Sequence, residues 1–430
     1  MSTTTPEASI PLDETPLAGV TTIVDKKAPV LLSSLALLLL AIVAIWPQSG
    51  DTTFRLAVPS DFAQLPTVTV PSTPTAWVVV VVCALCAAWS VALYSRHRGT
   101  PLWLVVVYSV AWVFGFLTWA AAGGTIPVVG LLSGSLALAV PLVFGALGGV
   151  LGERSGVVNI AIEGQLLAGA FAAAMIGSVV GSTWAGLIAA SVAGVLVALI
   201  LGLFAIAYFV DQVIVGVVLN VLVVGLTNFM FTQVLVPNAD TLNSPPRFHA
   251  VAIPVLGDIP LIGPIFFRQT PIVYLLYVAV ALVTWSLYRT KWGLRVRAVG
   301  EHPMAADTVG IKVNRTRWRT ILIAGAVAGM GGAFYTLVSV PQFNREMTGG
   351  AGFIALAAVI FGKWDPIRAT LAALLFGFAT NLQGVLSVIG SPVPSQFMLM
   401  LPYVVTIFAV AGLVGKSRAP AADGIPYRKG

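Results

Sequence analysis

The sequence predicts an all-α membrane protein, a polytopic bundle of about 10–12 transmembrane helices. Only 9% of its 430 residues are charged and 58% are hydrophobic, whereas about a quarter of a soluble domain is charged. The mean hydropathy is +0.96. The apolar residues are collected in blocks of roughly 17–25 residues, the length that crosses about 30 Å of hydrocarbon as a helix. Because backbone groups in lipid must bond within their own segment, these blocks are predicted to be helices.

About twelve such blocks follow one another along the chain. They are predicted at residues 30–46, 76–94, 102–122, 128–151, 157–180, 184–208, 213–235, 271–288, 320–340, 350–362, 369–389 and 397–414. The block at 350–362 is short for a complete crossing. It is therefore interpreted either as a crossing or as a broken or re-entrant helix packed inside the protein.

The basic residues predict the orientation of the chain, because Lys and Arg collect in cytoplasmic loops. If the N-terminus is cytoplasmic and each block crosses once, the 23 Lys and Arg fall on the inner side except Arg55, Arg247, Arg268 and Arg345. We therefore expect a multi-pass protein of the inner (cytoplasmic) membrane with both termini in the cytoplasm, and charge favours twelve crossings. The net charge of +7 is explained by these loops and gives no reason to expect nucleic-acid binding.

The remaining segments divide the chain into predicted regions. Both ends are predicted to be disordered cytosolic tails, because 1–27 is rich in Thr, Pro and acids without a signal-peptide pattern and 416–430 is similar. Between them we expect additional N-terminal helices at 28–122 and a core at 123–415. The core has a proline-rich outer loop at 236–270, predicted to be an ordered cap, and a strongly basic inner loop at 289–319.

One acid lies inside an apolar block. Residues 152–165 (GERSGVVNIAIEGQ) open the block at 157–180 and place Glu163 about two turns into it. An acid at the centre of a transmembrane helix costs roughly 3 kcal/mol, so a partner should compensate it. Asn159 lies four residues earlier, which predicts a shared helix face lining a polar pathway. Glu163 is interpreted either as a direct substrate contact or as a cap or bond to a neighbouring helix.

Other amides and hydroxyls lie in later blocks. Asn220 and Thr227 share one face of the block at 213–235 with Asn228 at its edge, and Asn381 and Gln383 lie in the block at 369–389. Such groups join transmembrane helices with about 0.6 kcal/mol each, or contact a ligand. Our candidate substrate-pathway residues are Asn159, Glu163, Asn220, Thr227, Asn228 and Asn381.

No catalytic or cofactor motif is present in the sequence. Residues 412–417 end like a phosphate-binding loop, but the first required glycine position is Val410 and the segment closes a predicted transmembrane helix. Cys83 and Cys86 lie in an apolar run and are predicted to be buried small hydrophobic residues. We therefore expect a chain that is not an enzyme and holds no metal or cofactor, with any ATP and Mg²⁺ bound by another subunit.

Three segments carry a resemblance to a known family: 152–165, 294–311 (LRVRAVGEHPMAADTVGI) and 349–362 (GGAGFIALAAVIFG). Over about residues 125–415 the chain resembles the permease subunits of ABC importers for nucleosides and simple sugars, which are related to ribose and branched-chain amino-acid permeases. The resemblance implies the ABC importer permease fold with two related tandem halves. It also implies three partners: a separate cytoplasmic ABC ATPase, a second permease subunit and an extracytoplasmic substrate-binding lipoprotein.

The segment 294–311 resembles the cytoplasmic coupling helix of such permeases. Pro303 can begin a short helix and Gly310 can end it. The positions implied in ATPase coupling are Glu301, Pro303, Ala305, Ala306 and Gly310. The flanking basic residues are expected at the membrane face, available to anionic lipid or to the partner: Arg295, Arg297, Lys312, Arg315 and Arg317. The plain alternative is a solvated basic connector.

The substrate is expected to be a nucleoside first and a pentose or other simple sugar second, because the segment at 152–165 is most like nucleoside permeases. Three other classes of membrane protein fit the sequence less well. An ion-coupled secondary transporter would bury several paired ionisable groups, and a membrane-embedded enzyme would cluster acids or histidines in a large loop, where Asp240, His249 and Asp258 lack such spacing. A passive channel would not need the inner loop.

Overall fold

The computed structural model describes residues 26–57, 64–391, 393–394, 396–397, 400 and 418–428. Within them it confirms the all-α polytopic fold, because ten helices are long and apolar enough to cross a membrane. They correspond to the first nine predicted blocks and the eleventh. Most of the predicted tail at 1–27 and nearly all of the predicted block at 397–414 lie outside the described residues, as does the segment 412–417.

The ten long helices follow the predicted order. Their bounds are α1 Lys27–Ile45, α2 Ser72–Ser95, α3 Leu102–Ala120, α4 Val128–Arg154, α5 Ile162–Val180, α6 Thr183–Gly202, α7 Gln212–Met230, α9 Pro271–Arg289, α12 Val313–Phe334 and α14 Pro366–Ile389. One π-helical turn extends α6, α7 and α12, at Leu203–Ala207, Phe231–Leu235 and Tyr335–Ser339 respectively.

Shorter elements fill the long loops. The short helices are α8 Ala239–Leu242, α10 Lys291–Glu301, α11 Pro303–Thr308 and α13 Ala351–Phe361, and the strands are β1 Asp51–Arg55, β2 Val68–Pro71, β3 Thr125–Pro127, β4 Val251–Ala252 and β5 Arg268–Gln269. β1 pairs antiparallel with β2 and parallel with β3. In the outer loop β4 pairs antiparallel with β5, and an ion pair of 3.2 Å joins Arg268 to Asp258.

The chain divides into two compact units. The smaller contains Met1–Gln48 and Thr73–Leu117, and therefore holds α1 and nearly all of α2 and α3. Within it the Tyr108 hydroxyl donates to the Leu32 carbonyl at 2.7 Å, and the Trp112 indole N–H donates to the Leu35 carbonyl at 2.9 Å. These bonds satisfy the polar tips of two aromatic side chains inside an apolar unit. Cys83 is buried there as a free thiol.

The larger unit contains Ser49–Ser72 and Thr118–Gly430, so it includes the strand segment β1–β2, which lies within the predicted N-terminal region 28–122. Its centre is α4, α5, α6 and α12. Close packing there depends on small residues, because a Cβ added to Gly194 would overlap the Gly325 carbonyl and one added to Gly332 would overlap the Leu166 carbonyl. Helices joined in this way approach backbone to backbone, as is common in membranes.

Two helices of this unit begin in its interior. α13 has 11 residues and a length of about 16 Å, roughly half the hydrocarbon thickness. Ala355 lies beside Gly145 and Val359 beside Gly149, so α13 runs parallel to the second half of α4. Ile162, the first residue of α5, also lies beside Gly145 and Gly149. The N-termini of α5 and α13 therefore meet near the middle of α4.

Candidate functional site

The predicted acid Glu163 lies where these two helix N-termini meet. Its carboxylate accepts hydrogen bonds from the Thr348 hydroxyl at 2.6 Å, the Gly350 N–H at 2.9 Å and the Gly352 N–H at 2.6 Å. The side chain is 7% exposed. The first N–H groups of a helix lack intrahelical partners and carry partial positive charge, so an anion is stabilised there. The compensation that the sequence requires for Glu163 therefore comes from α13.

Asn159 does not share a helix face with Glu163, which corrects the predicted spacing. α5 begins at Ile162, and residues 155–161 form a turn at 155–156, an irregular segment at 157–159 and a second turn at 160–161. The Asn159 amide instead pairs with the amide of Gln165 in two hydrogen bonds of 3.1 and 3.3 Å, with both side chains completely buried. Gly156 allows the turn because its φ is +84°, which L side chains rarely adopt.

Asn220 on α7 also bonds to the backbone around the start of α5. Its Oδ1 accepts from the Gly164 N–H at 2.8 Å, and its Nδ2 donates to the Ile160 carbonyl at 2.9 Å. Gly164 lies in the first turn of α5 and Ile160 lies just before the helix, where backbone groups would otherwise be unpaired. The side chains of Asn159, Glu163, Gln165, Asn220 and Thr348 thus form one cluster, here called the polar junction.

Two of the remaining candidates are bonded within the bundle. The Thr227 hydroxyl donates to the Val223 carbonyl of its own helix at 2.7 Å. Asn381 on α14 donates to the Leu131 carbonyl of α4 at 2.7 Å, and Gly134 leaves the space that this amide occupies. The Asn381 contact fits the helix-joining interpretation of such residues, whereas the Thr227 bond lies within α7.

Asn228 lies apart from the polar junction, near the segment that follows α12. Its Nδ2 donates to Glu346 at 3.2 Å, whereas its Oδ1 is buried without a hydrogen bond. The neighbouring Arg345 donates to Thr232 at 2.8 Å and lies 5.5 Å from the ring centre of Phe231. Polar and aromatic side chains are therefore grouped where α7 ends.

We use the name basic end for one region of the larger unit. It consists of the turn at 154–158, the first residues of α7, the whole of α10 and α11, and the segment 418–428. The short helix expected between Pro303 and Gly310 is present as α11, and Gly310 has φ +85°. Met304 and Val309 are 73% and 75% exposed, although both are apolar. α11 therefore presents two exposed apolar side chains, one in the helix and one directly after it.

Two predicted residues of this end are buried. Ala306 is 3% exposed and packs with Val299, Val313 and Tyr427, so it supports α11 from beneath and does not face outward. Arg317 is 1% exposed, and its Nε and Nη1 donate to the carbonyls of Ser155 and Ile425 at 3.2 and 2.9 Å. The expectation that Arg317 is available to lipid or a partner is therefore wrong, because its guanidinium is buried and donates hydrogen bonds to two backbone carbonyls.

Two buried polar residues of this region, Glu153 and Gln212, are not among the predicted site residues. Glu153 is buried and accepts from the Trp364 indole N–H, while Arg154 donates to the Trp364 carbonyl at 2.9 Å. Gln212 at the start of α7 accepts from the Val158 N–H at 2.7 Å, and its Nε2 is buried without a hydrogen bond. Glu153 was visible as a second acid in the segment 152–165. Gln212 carried no signal, because a glutamine beside a loop is ordinarily exposed.

The structure also limits where chemistry can occur. Among the described residues no group of three or more His, Cys, Asp or Glu is arranged to hold a metal. A recess of about 490 Å³ between α9 and α12 is lined almost wholly by apolar side chains such as Leu275, Leu282, Trp285, Trp292 and Ile323, with Ser286 the polar member. A polar solute needs hydrogen-bonding groups in its site, so this recess is not a substrate site.

The molecule combines long apolar helices, two helix N-termini in its interior and exposed apolar residues at its basic end. These features define a multi-pass membrane transport protein. The family model described as the permease component of the branched-chain amino acid transport system matches residues 131–410, more than half of the chain. The chain belongs to this family. The family resemblance carried by the three sequence segments is thereby confirmed.

Curated relatives match more than half of the chain. It is 43% identical to the guanosine ABC transporter permease protein NupQ of Bacillus subtilis, over 70% of this chain and 97% of the relative. It is 38% identical to the nucleoside ABC transporter permease protein NupC of Lactococcus lactis, over 70% and 96% respectively. A putative glucose ABC transporter permease protein of Haloferax volcanii, TsgC13, is 36% identical over 59% of this chain and 77% of the relative. No solved structure matches the chain.

Proposed function

We propose that this chain is the transmembrane permease subunit of an ATP-driven ABC importer for nucleosides. The observation that carries the proposal is the 43% identity to a guanosine ABC transporter permease over 97% of that relative's length. A sugar is the second candidate, supported by 36% identity to a putative glucose permease. The nucleoside ranks first because both nucleoside relatives are matched over nearly their whole length.

The energy source is proposed to be a separate cytoplasmic ATPase that binds ATP and Mg²⁺ and docks on α11. Met304 and Val309 supply the exposed apolar contacts, and Ala305 and Gly310 keep the neighbouring surface open. This places the basic end in the cytoplasm, together with both chain termini. Movement of the docked ATPase would tilt the bundle between inward-open and outward-open states, so that a bound nucleoside is released inside.

The second permease is proposed to be a different protein, so that the two form a heterodimer. Bacillus subtilis has two guanosine ABC transporter permease proteins, NupQ and NupP, with 43% and 26% identity to this chain. The Lactococcus lactis proteins NupC and NupB show the same contrast, 38% and 24%. This chain therefore takes the NupQ-like position. The remaining proposed partners are an extracytoplasmic substrate-binding lipoprotein and anionic lipid at the exposed basic residues.

Among the candidate pathway residues we assign substrate contact to Asn228. Its Oδ1 makes no hydrogen bond and its Nδ2 donates to Glu346, while the neighbouring Arg345 contacts Thr232 and the Phe231 ring. Hydroxyl and base edges of a nucleoside need such donors and acceptors, and its base needs an aromatic face. The polar junction instead holds α5, α7 and α13 together, because its groups are bonded to one another and to backbone.

Uptake of labelled guanosine tests the substrate class. In a host lacking nucleoside uptake, the assembled transporter should accumulate guanosine, and excess unlabelled adenosine should compete whereas ribose and leucine should not. Asn228→Ala should raise the half-saturating concentration, while Thr227→Val, one residue away, should leave it unchanged. Competition by ribose or glucose without competition by adenosine would assign the sugar class instead.

Co-purification tests the docking surface. Met304→Asp and Val309→Asp place charges on the exposed face of α11 and should abolish recovery of the ATPase with the tagged permease. Ile262→Asp is the matched control, since Ile262 is a 50% exposed apolar residue of the outer loop. Equal recovery of the ATPase with all three variants would contradict docking on α11.

A further inference from the structure

The segment 418–428 packs against the other elements of the basic end, although its composition predicted a disordered tail. Tyr427 is 8% exposed and packs with Val299, Ala306 and Val313, which belong to α10, α11 and the start of α12. Burial and the nearby Asp307 carboxylate of α11 raise the pKa of the Tyr427 hydroxyl. α11 is therefore held from beneath by an aromatic side chain of the C-terminal segment.

Backbone hydrogen bonds fix the same segment at several points. The Ala422 N–H donates to the Gly300 carbonyl at 2.8 Å, and the Ala421 N–H donates to the Glu301 carboxylate at 3.2 Å. Both acceptors lie at the end of α10, directly before α11. Glu301 was predicted as a coupling residue, and here it joins the coupling loop to the C-terminal segment.

A third set of contacts reaches the transmembrane helices. Arg317 bridges the Ser155 carbonyl of the turn after α4 and the Ile425 carbonyl. Arg428 lies 5.0 Å from the ring centre of Phe209, just before α7. The segment thus touches α10, α11, α12, the turn that leads into α5 and the residues that precede α7.

We propose that residues 418–428 form a strap that positions α11 for coupling. The inference rests on the proposed function and deepens it. A displacement imposed on α11 by the ATPase is passed through Tyr427 and Arg317 to the 154–158 turn, and from there to α5. Without the strap α11 still docks, because Met304 and Val309 are unaffected, but its movement is carried to the bundle less completely.

The test is the number of guanosine molecules transported per ATP hydrolysed by the assembled transporter in proteoliposomes. Truncation after Ser417 and Tyr427→Ala should lower this ratio at least about fivefold, the lower range of site-to-site coupling, while ATPase recovery stays normal. Tyr427→Phe keeps the packing of the ring on Ala306 and should recover most of the ratio. Arg418→Ala, at an exposed residue of the same segment, is the control and should match the unaltered chain.

The outcomes separate the two proposals. If the unaltered complex imports guanosine and the truncation and Tyr427→Ala retain the full ratio, the strap proposal is overturned and the importer proposal stands. If the unaltered complex moves no guanosine with ATP, the importer proposal falls and the strap proposal falls with it. Loss of ATPase recovery in Tyr427→Ala would show that the segment serves assembly, and would also overturn a positioning role.

Discussion

The polar junction and the basic end both contain buried charged and amide side chains, but the hydrogen-bonding groups of these side chains are satisfied to different degrees. In the polar junction Glu163 accepts three hydrogen bonds, and Asn159, Gln165 and Asn220 each have partners at 2.8–3.3 Å. At the basic end, Nη2 of Arg317, Oδ1 of Asp423 and Nε2 of Gln212 are buried without hydrogen bonds.

This difference indicates different roles. A fully bonded polar cluster in a low-dielectric interior is rigid and expensive to open, because each exposed donor would lose its partner. In a cluster that already contains unbonded polar groups, exchanging hydrogen-bond partners costs less free energy. We infer that the polar junction is a fixed point of the bundle and that the basic end is the part that rearranges when an ATPase moves α11.

The largest expected effect is at the fixed point. Glu163→Ala removes the acceptor of three hydrogen bonds, leaving the Thr348 hydroxyl and the Gly350 and Gly352 N–H groups buried without a partner. The free energy of unfolding should fall by about 3 kcal/mol or more, measured as a lower midpoint of thermal unfolding in detergent. Thr227→Val is the control and should cost much less, because this hydroxyl bonds only its own helix. A midpoint equal to the control would contradict the fixed junction.

A second variant tests the same contact between α5 and α13 by adding a methyl group to it. A Cβ at Gly352 would overlap the backbone of Glu163, so Gly352→Ala should push α13 away and cost about 1–3 kcal/mol. Gly225→Ala is a matched control, since a Cβ there meets nothing within 4 Å. The same thermal measurement applies. Unfolding midpoints that agree for the two variants would mean that α13 is not held tightly at this place.

The next change sharpens the comparison at the basic end. Arg317→Met keeps the length of the side chain but removes its bonds to the Ser155 and Ile425 carbonyls. We expect a local loss of about 1–3 kcal/mol, seen as faster hydrogen exchange in 418–428, with little change in the polar junction. Arg319→Met, at an exposed residue of the same helix, should leave exchange unchanged. Faster exchange spread equally over both regions would show that they are not independent.

The smallest expected effect is a dependence on pH. Burial raises the pKa of Asp423 from 3.8 to about 7, while the Gly424 N–H and Arg317 act in the opposite direction. Glu153 on α4 is the other charged group that faces it. Since the pKa is higher when the strap is docked, docking is favoured below pH 4 and weakens as pH rises to 7. Protection factors of 418–428 should fall from pH 6 to pH 8, and Asp423→Asn should remove the change.

The fold was predictable because the length and composition of apolar segments are imposed by the bilayer and need no tertiary information. The ten long helices follow the predicted blocks for this reason. The start of α5 was not predictable from hydropathy, because residues 157–161 are as apolar as the helix that follows. The signal that was available is Gly156, whose positive φ breaks the helix before Asn159.

The candidate site was predictable in its residue types but not in its partners. An intramembrane acid needs compensation, and this requirement predicted that Glu163 has bonding partners. The donors themselves lie 185–189 residues away in the chain. Likewise the 418–428 segment is short and polar, and nothing local shows that Tyr427 packs on Ala306. Such long-range contacts depend on tertiary structure, which the local pattern of one sequence does not encode.

The most direct test of the importer proposal is guanosine accumulation in proteoliposomes containing this chain, its partner permease, the ATPase and the binding lipoprotein. We expect accumulation that requires ATP, is lost when the ATPase cannot hydrolyse it, and is lost with Met304→Asp plus Val309→Asp. Accumulation driven by a sodium or proton gradient in the absence of ATP would contradict it and would identify a secondary transporter.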